Sequence, residues 1–77
     1  MEDQDLTFGE KAVGLTFNPS NDKNVDTCKK AFALAIDNLN NLRESTHDAE
    51  VKRMCSIAIT EAQTAQMWAV KAITWKQ

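Results

Sequence analysis

The sequence predicts an all-α protein, in which a short N-terminal helix or arm precedes a long antiparallel helical hairpin. Two observations support this fold class. Apolar residues recur at helical spacing in two long segments, and turn-forming residues are concentrated in one stretch before the first of them. The 77 residues are expected to form one helical domain, residues 1–77. Domains of this size bury about 60% of the surface that the unfolded chain exposes, so many need an additional source of stability.

The first 13 residues form an acidic leader. Four acidic residues and no basic residue lie in the first ten positions. Leu6 and Val13 have a spacing compatible with a short helix, although Gly9 weakens it. From Lys11 onward, the chain contains nine basic residues and seven acidic ones, a net charge of +2. This balance is too weak for a protein that binds duplex nucleic acid, but it is sufficient for a small anionic ligand.

Residues 14–22 contain the one concentrated piece of turn chemistry. Pro19 favours an extended conformation in the residue before it, and the Ser, Asn and Asp that follow supply side-chain acceptors for a turn and for the next helix. Leu15 and Phe17 alternate around Thr16, as in an extended segment that places apolar groups on another surface. The simplest interpretation is a connector whose Phe17 fills the core.

A first long helix is predicted over residues 23–44. Apolar residues recur there at spacings of three and four, the period of an amphipathic helix. The predicted core face consists of Cys28, Phe32, Ala35, Leu39 and Leu42, widened by Leu34 and Ile36. Ser45 and Asp48 then resemble a capping box that begins the next helix. Because the connection is short, the two long helices are expected to be antiparallel neighbours.

The most regular pattern in the chain is a second long helix, predicted over residues 46–76. At about 1.5 Å per residue it reaches roughly 45 Å and extends about 15 Å beyond its neighbour. Trp68 and Trp75 lie in the overhanging turns and are expected to be exposed in a single chain. Small residues recur along one side of this helix, at Ala58, Ala62, Ala65, Ala69 and Ala72. We therefore predict a homo-oligomer in which these surfaces are covered.

The sequence offers no catalytic constellation. His47, the single histidine, is expected in a solvated first helical turn, and Cys28 and Cys55 occupy predicted core positions as reduced thiols. Gly9 and Gly14 lack the spacing of a phosphate loop. Neither a signal peptide nor a run of about 18 apolar residues is evident. We expect no enzyme, no cofactor, no metal site and no membrane association, and a soluble cytoplasmic protein.

Three lysines are candidates for binding an anion. Lys29 and Lys30 lie in the first turns of the helix over residues 23–44, near its positive dipole end. Lys71 lies one turn from Trp68 and Trp75, in the most apolar part of the chain, where a lysine is costly unless its ammonium reaches water or an anion. The simpler interpretations are solvated lysines for the first two, and a lysine at the rim of an interface for Lys71.

Three stretches of the chain carry a family resemblance by their order and spacing. They are GLTFNPS at Gly14 to Ser20, VDTCK at Val25 to Lys29, and ITEAQTAQMWAVKAI at Ile59 to Ile73. Together they resemble the small helical phage proteins that act as anti-CBASS cyclic-nucleotide sponges, over about Gly14 to Trp75. The resemblance implies a compact homohexamer that sequesters cyclic dinucleotides and, at separate sites, cyclic trinucleotides, without cleaving them.

The resemblance also implies roles for particular residues. The phosphate-binding lysine of the family falls on Lys29, expected outside the helix core, with Lys30 as the alternative if the register differs by one. The stacking aromatic falls on Leu15, which has no aromatic face. Either Phe17 or a ring from another subunit stacks on the base, or dinucleotide binding is weaker. The basic residue of the second class of pocket falls on Lys71. The implied ligand-binding residues are Gly14, Leu15, Thr16, Phe17, Lys29, Lys30 and Lys71.

Two functions follow as hypotheses. In the first, the protein is a phage counter-defence protein that sequesters second messengers such as cyclic GMP-AMP in the cytoplasm of the infected bacterium, so that the CBASS effector is not activated. In the second, it is a structural or adaptor oligomer whose helical face recognises another protein. Lysines beside apolar turn chemistry in residues 14–30 favour the first hypothesis, because an adaptor does not need them.

Overall fold

The computed structural model describes residues 5–76, which contain three α-helices: α1 (Phe8–Ala12), α2 (Lys23–Ser45) and α3 (Ala49–Ile73). The two long helices α2 and α3 pack on each other as a hairpin, and α1 packs on α2. Helices are the only regular secondary structure in these residues, so the predicted all-helical hairpin is confirmed. The first four residues of the acidic leader and residue 77 lie outside the described residues.

The short helix α1 forms in spite of its glycine. A capping box begins it: the hydroxyl of Thr7 accepts from the amide of Glu10 at 3.1 Å, and the carboxylate of Glu10 accepts from the amide of Thr7 at 2.9 Å. The buried Gly9 then donates its amide to Asp37 Oδ1 of α2 at 2.6 Å. Gly9 is therefore the residue through which α1 docks on α2, because a larger side chain would keep the two backbones apart.

The start of α3 differs from the prediction. Its N-cap is Asp48, whose carboxylate accepts from the amides of Glu50 and Val51 at 2.8 and 3.4 Å. The predicted capping box of Ser45 with Asp48 is wrong, because Ser45 is the last residue of α2 and its hydroxyl donates to the carbonyl of Leu42. Helix α3 consequently begins later than predicted, since a carboxylate next to the free amides is itself a strong cap.

The polar residues around this helix start are exposed. His47 lies in the connection between α2 and α3, and not in the first turn of α3 as predicted. Arg53 forms an ion pair with Glu50 at 2.6 Å, and this hydrogen bond lowers the pKa of the Glu50 carboxyl below its usual value. Both side chains are more than half exposed, so the pair contributes little to stability.

The buried core lies between α1, α2 and α3. Its apolar members are Val13, Val25, Ala33, Ile36, Cys55 and Ile59. The predicted core face of α2 is therefore partly wrong: Ala35 and Leu42 are exposed, as is Leu34 at 65%. Both faces of α2 carry apolar residues, so periodicity alone does not determine which face meets α1 and α3.

The outer side of α3 retains a large apolar surface. Trp68 and Trp75 are 65% and 59% exposed, as predicted for a single chain, and Met54, Ile57 and Met67 are also exposed. The predicted overhang is wrong, because α2 and α3 have 23 and 25 residues, a difference of about 3 Å in length. Exposure of the tryptophans comes from the direction in which they face.

The alanine stripe of α3 lies at the edge of the packed surface. Three of its alanines are half-buried, whereas Ala65 and Ala72 are exposed in the single chain. The residues that α3 buries are Cys55, Ile59 and Gln66. Whether a second chain covers the exposed alanines remains a prediction. Within residues 5–76, no helix has the length and apolar character needed to cross a membrane.

Replacing Gly9 by alanine is expected to destabilise the fold. The added Cβ would lie in steric overlap with the carbonyl oxygen of Ala33 and 2.8 Å from Asp37 Oδ1, so α1 must move away from α2. The expected loss is about 1–3 kcal/mol in the free energy of unfolding, measured by urea denaturation at fixed protein concentration. Lys11→Ala, at an exposed position of α1, is the control. Equal stability of the two variants would contradict the close docking of α1.

Candidate functional site

The connection from α1 to α2 is a pair of turns. Gly14 has a φ of +63°, and the amide of Phe17 donates to its carbonyl at 2.9 Å. Asn21 has a φ of +58°, and its amide donates to the carbonyl of Asn18 at 3.1 Å. Glycine and asparagine are the residues that adopt this left-handed conformation most readily. Together these turns reverse the chain between the short helix and α2.

Side chains tie the second turn to the start of α2. The amide group of Asn18 donates to the carbonyl of Asp22 and to the carboxylate of Asp26, both at 3.0 Å. Ser20 donates its hydroxyl to Asn18 Oδ1 at 2.6 Å and accepts from the amide of Asp22 at 3.1 Å. The Asn-Pro-Ser segment is therefore held in one shape before any ligand is present.

Lys29 lies beneath the first of these two turns, residues 14–17. Its side chain is 5% exposed, and its ammonium donates to the carbonyl of Gly14 at 2.9 Å and to the carbonyl of Phe17. The prediction that Lys29 lies outside the helix core is therefore wrong. The turn supplies two carbonyl acceptors for the ammonium, which offset the cost of burying it. The Nζ atom also lies 5.6 Å from the centroid of the Phe17 ring.

Within residues 5–76, the positive charge of Lys29 has no anionic partner. Among residues 5–76 the one ion pair joins Arg53 to Glu50, and no acidic side chain pairs with Lys29. Carbonyl dipoles satisfy its hydrogen bonds but do not neutralise its charge. A buried cation in this situation favours an anion nearby, because an opposite charge recovers part of the lost solvation.

An open cavity of about 280 Å³ borders Lys29. Residues from the turn, from α2 and from the C-terminal end of α3 line it: Phe17, Asn18, Pro19, Ser20, Val25, Lys29, Val70 and Thr74. Phe17 is 70% exposed at this site. Pockets for small molecules commonly measure about 300–1,000 Å³. The cavity of one chain is therefore at the lower limit for a whole ligand.

The structure separates the residues that the resemblance grouped together. Gly14, Leu15 and Thr16 line a second open cavity of about 350 Å³ on another side of the turn. Leu15 is half-buried and packs against the core. Phe17 and Lys29 are thus the predicted residues that share the first cavity.

The other two candidate lysines lie at the surface. Lys30 is exposed and borders neither cavity. Lys71 is also exposed, and its Nζ atom lies 5.2 Å from the ring centroid of Trp68 and 5.7 Å from that of Trp75. These distances are within the range of cation–π interactions. Lys71 therefore belongs to a separate aromatic surface.

Several residues of the first cavity escaped the sequence analysis. The hydrogen bonds of Asn18 and Ser20 confirm their predicted role in the turn, and both residues also line the cavity. Val70 and Thr74 come from the far end of α3, and no local pattern indicates that they meet residues 17–20. In residues 5–76 no group of His, Cys, Asp and Glu could hold a metal ion, and both cysteines are free thiols.

These features define a small helical-hairpin protein with an open cavity beside its connecting turn, bordered by the buried Lys29. A scan against protein-family models matches the description "Acb2/Tad1, hairpin domain" over residues 10–74. The chain belongs to the Acb2/Tad1 hairpin family, which is the family of anti-CBASS cyclic-nucleotide sponges. The resemblance noted in the sequence is thereby confirmed. Neither the search of curated proteins nor the search of solved structures gave a match.

Replacing Lys29 by methionine is expected to lower the free energy of unfolding by about 1–3 kcal/mol, because the carbonyl of Phe17 loses a buried donor. Lys30→Met is the matched control, since it removes the same charge one residue away at an exposed position, and its effect should stay within about 0.5 kcal/mol. Urea denaturation of both variants measures the difference. If Lys29→Met is as stable as Lys30→Met, the ammonium does not hold the turn.

Proposed function

We propose that this protein binds and sequesters cyclic di- and trinucleotide second messengers, such as cyclic GMP-AMP, without cleaving them. By removing the messenger from the cytoplasm of a phage-infected bacterium, it keeps the CBASS effector inactive. Membership of the sponge family supports this proposal. The observation that carries it is the buried ammonium of Lys29, which has no acidic partner in residues 5–76 and borders a cavity edged by an exposed ring. A phosphodiester supplies the missing negative charge.

Phe17 is the proposed stacking residue. Its ring is 70% exposed at the cavity, whereas Leu15 packs against the core. A base stacked on an aromatic ring gains about 1–3 kcal/mol. We propose that Phe17 contacts the base of the ligand, and that Gly14, Leu15 and Thr16 act by setting the path of the turn on the side of the second cavity.

The remaining lysines have proposed roles outside this cavity. Lys30 follows Lys29 on the exposed side of α2 and adds to the positive field that attracts phosphate. Lys71 and its two tryptophans are proposed to form the separate site for cyclic trinucleotides. An exposed cation beside exposed rings suits a ligand that combines phosphates with bases.

We propose that the sites are completed in a homo-oligomer, with six subunits implied by the sequence resemblance. A cavity of about 280 Å³ is small for a ligand with two bases and two phosphates. The exposed apolar residues of α3 offer a surface for assembly. A two-fold contact would place one Lys29 beside each phosphate of a cyclic dinucleotide, matching its approximate two-fold symmetry.

Filtration tests the binding function. We expect the protein at micromolar concentration to retain cyclic GMP-AMP on an ultrafiltration membrane and to release it chemically intact after denaturation. A protein that acts only as an adaptor would let the nucleotide pass, because it would have no binding site for it. Passage of all the nucleotide would contradict sequestration, and recovery of a linear product would contradict binding without cleavage.

The stacking role of Phe17 predicts a local loss of affinity. Phe17→Ala should weaken binding of cyclic GMP-AMP by about 10- to 100-fold, as expected for one stacked base, measured by calorimetric titration. Phe8→Ala is the matched control, because Phe8 is also partly exposed but lies beside Arg43, away from the cavity lining. Equal affinities of the wild type and Phe17→Ala would exclude Phe17 as the stacking residue.

Assembly is tested at Ala65, which is exposed in the single chain. If a neighbouring subunit packs there, Ala65→Leu should overfill the contact at a cost of about 1–3 kcal/mol and reduce the number of subunits. Light scattering measures this, with Ala49→Leu, at an exposed position outside the alanine stripe, as the control. A stable folded wild-type monomer of 8.6 kDa would contradict the oligomer.

A further inference from the structure

The first turn closes on one ammonium. The carbonyl of Gly14 accepts from the amide of Phe17 and from Lys29 Nζ, both at 2.9 Å, and the carbonyl of Phe17 accepts from the same Nζ atom. Both ends of the turn that carries the exposed ring are therefore attached to the same side chain. Because the stem of Lys29 is buried in the hairpin, this attachment transmits the rigidity of α2 to residues 14–17.

The Phe17 ring is largely exposed and lies beside the same ammonium. It is 70% exposed, and the ammonium of Lys29 lies 5.6 Å from its centroid. An exposed aromatic side chain usually samples several rotamers, and a ligand must select one of them when it binds. Lys29 contacts both the backbone carbonyl of Phe17 and its ring.

We infer that Lys29 is a positioning residue, which holds the Phe17 ring in the orientation needed to stack on a base, in addition to placing a charge near the phosphate. This inference rests on the proposed function for its ligand, but the geometry that it describes exists in the free protein. It assigns to Lys29 a contribution to binding that passes through a second residue, and the two side chains are therefore energetically coupled.

The first measurement needs no ligand. In the folded wild type, the amide of Phe17 donates to the Gly14 carbonyl at 2.9 Å, and we expect this bond to slow its hydrogen exchange. In Lys29→Met this amide should exchange about tenfold faster, because the turn opens more readily. Lys30→Met should leave it unchanged. If the amide of Phe17 keeps its protection in Lys29→Met, the turn does not depend on the ammonium, and the inference is overturned.

The second measurement is a double-mutant cycle of affinity for cyclic GMP-AMP. Lys29→Met and Phe17→Ala should each weaken binding by about 10- to 100-fold. The double variant should fall short of the product of the two factors by about tenfold or more, because Lys29 acts partly through the ring that Phe17→Ala removes. A purely structural role would lower stability without this coupling.

The two measurements separate the inference from the proposed function. If the affinities multiply, so that the double variant loses the full product of the two factors, Lys29 contacts the ligand independently of Phe17 and the inference is overturned while sequestration stands. If the wild type binds no cyclic nucleotide, the proposed function fails. The exchange of the Phe17 amide then still decides whether Lys29 holds the turn.

Discussion

The bonds from the ammonium of Lys29 to the carbonyls of Gly14 and Phe17 are the interaction on which the site depends. A lysine inside a domain of this size requires hydrogen-bond acceptors, and the first turn supplies two of them. The ammonium also connects the two ends of the turn, at Gly14 and Phe17. The cavity beside Phe17 borders this contact.

The same arrangement places a buried cation in a protein that has no strongly basic composition. The chain has a formal net charge of −2, and the body after the acidic leader is only slightly basic. Charge counting therefore indicates no strong affinity for polyanions. A single buried cation acts more strongly on a phosphate at the cavity than solvated lysines would, because less solvent screens it. In the proposed function, the position of one lysine therefore matters more than the number of lysines.

The packing of α1 illustrates a second constraint. A glycine in a short helix lowers helix propensity, and for that reason Gly9 argued against α1 in the sequence. In the folded chain the missing side chain lets α1 approach the carbonyl of Ala33, and the amide of Gly9 bonds to Asp37. The docking of α1 leads the chain into the turn of residues 14–22. The tertiary contact that Gly9 permits offsets its cost in helix propensity. Local propensity cannot reveal such a contact.

The sequence by itself determined the presence of two long helices, the location of the turn and the family, because these depend on local spacing and on residue order. The tertiary structure decided which apolar face of α2 is buried, since Leu34 and Ile36 are equally suitable by pattern but only Ile36 meets the other helices. It also decided that Lys29 faces inward, that Leu15 packs on the core and that Val70 borders the cavity. These facts depend on contacts between residues distant in sequence, and such contacts leave no signature in the spacing of neighbouring residues.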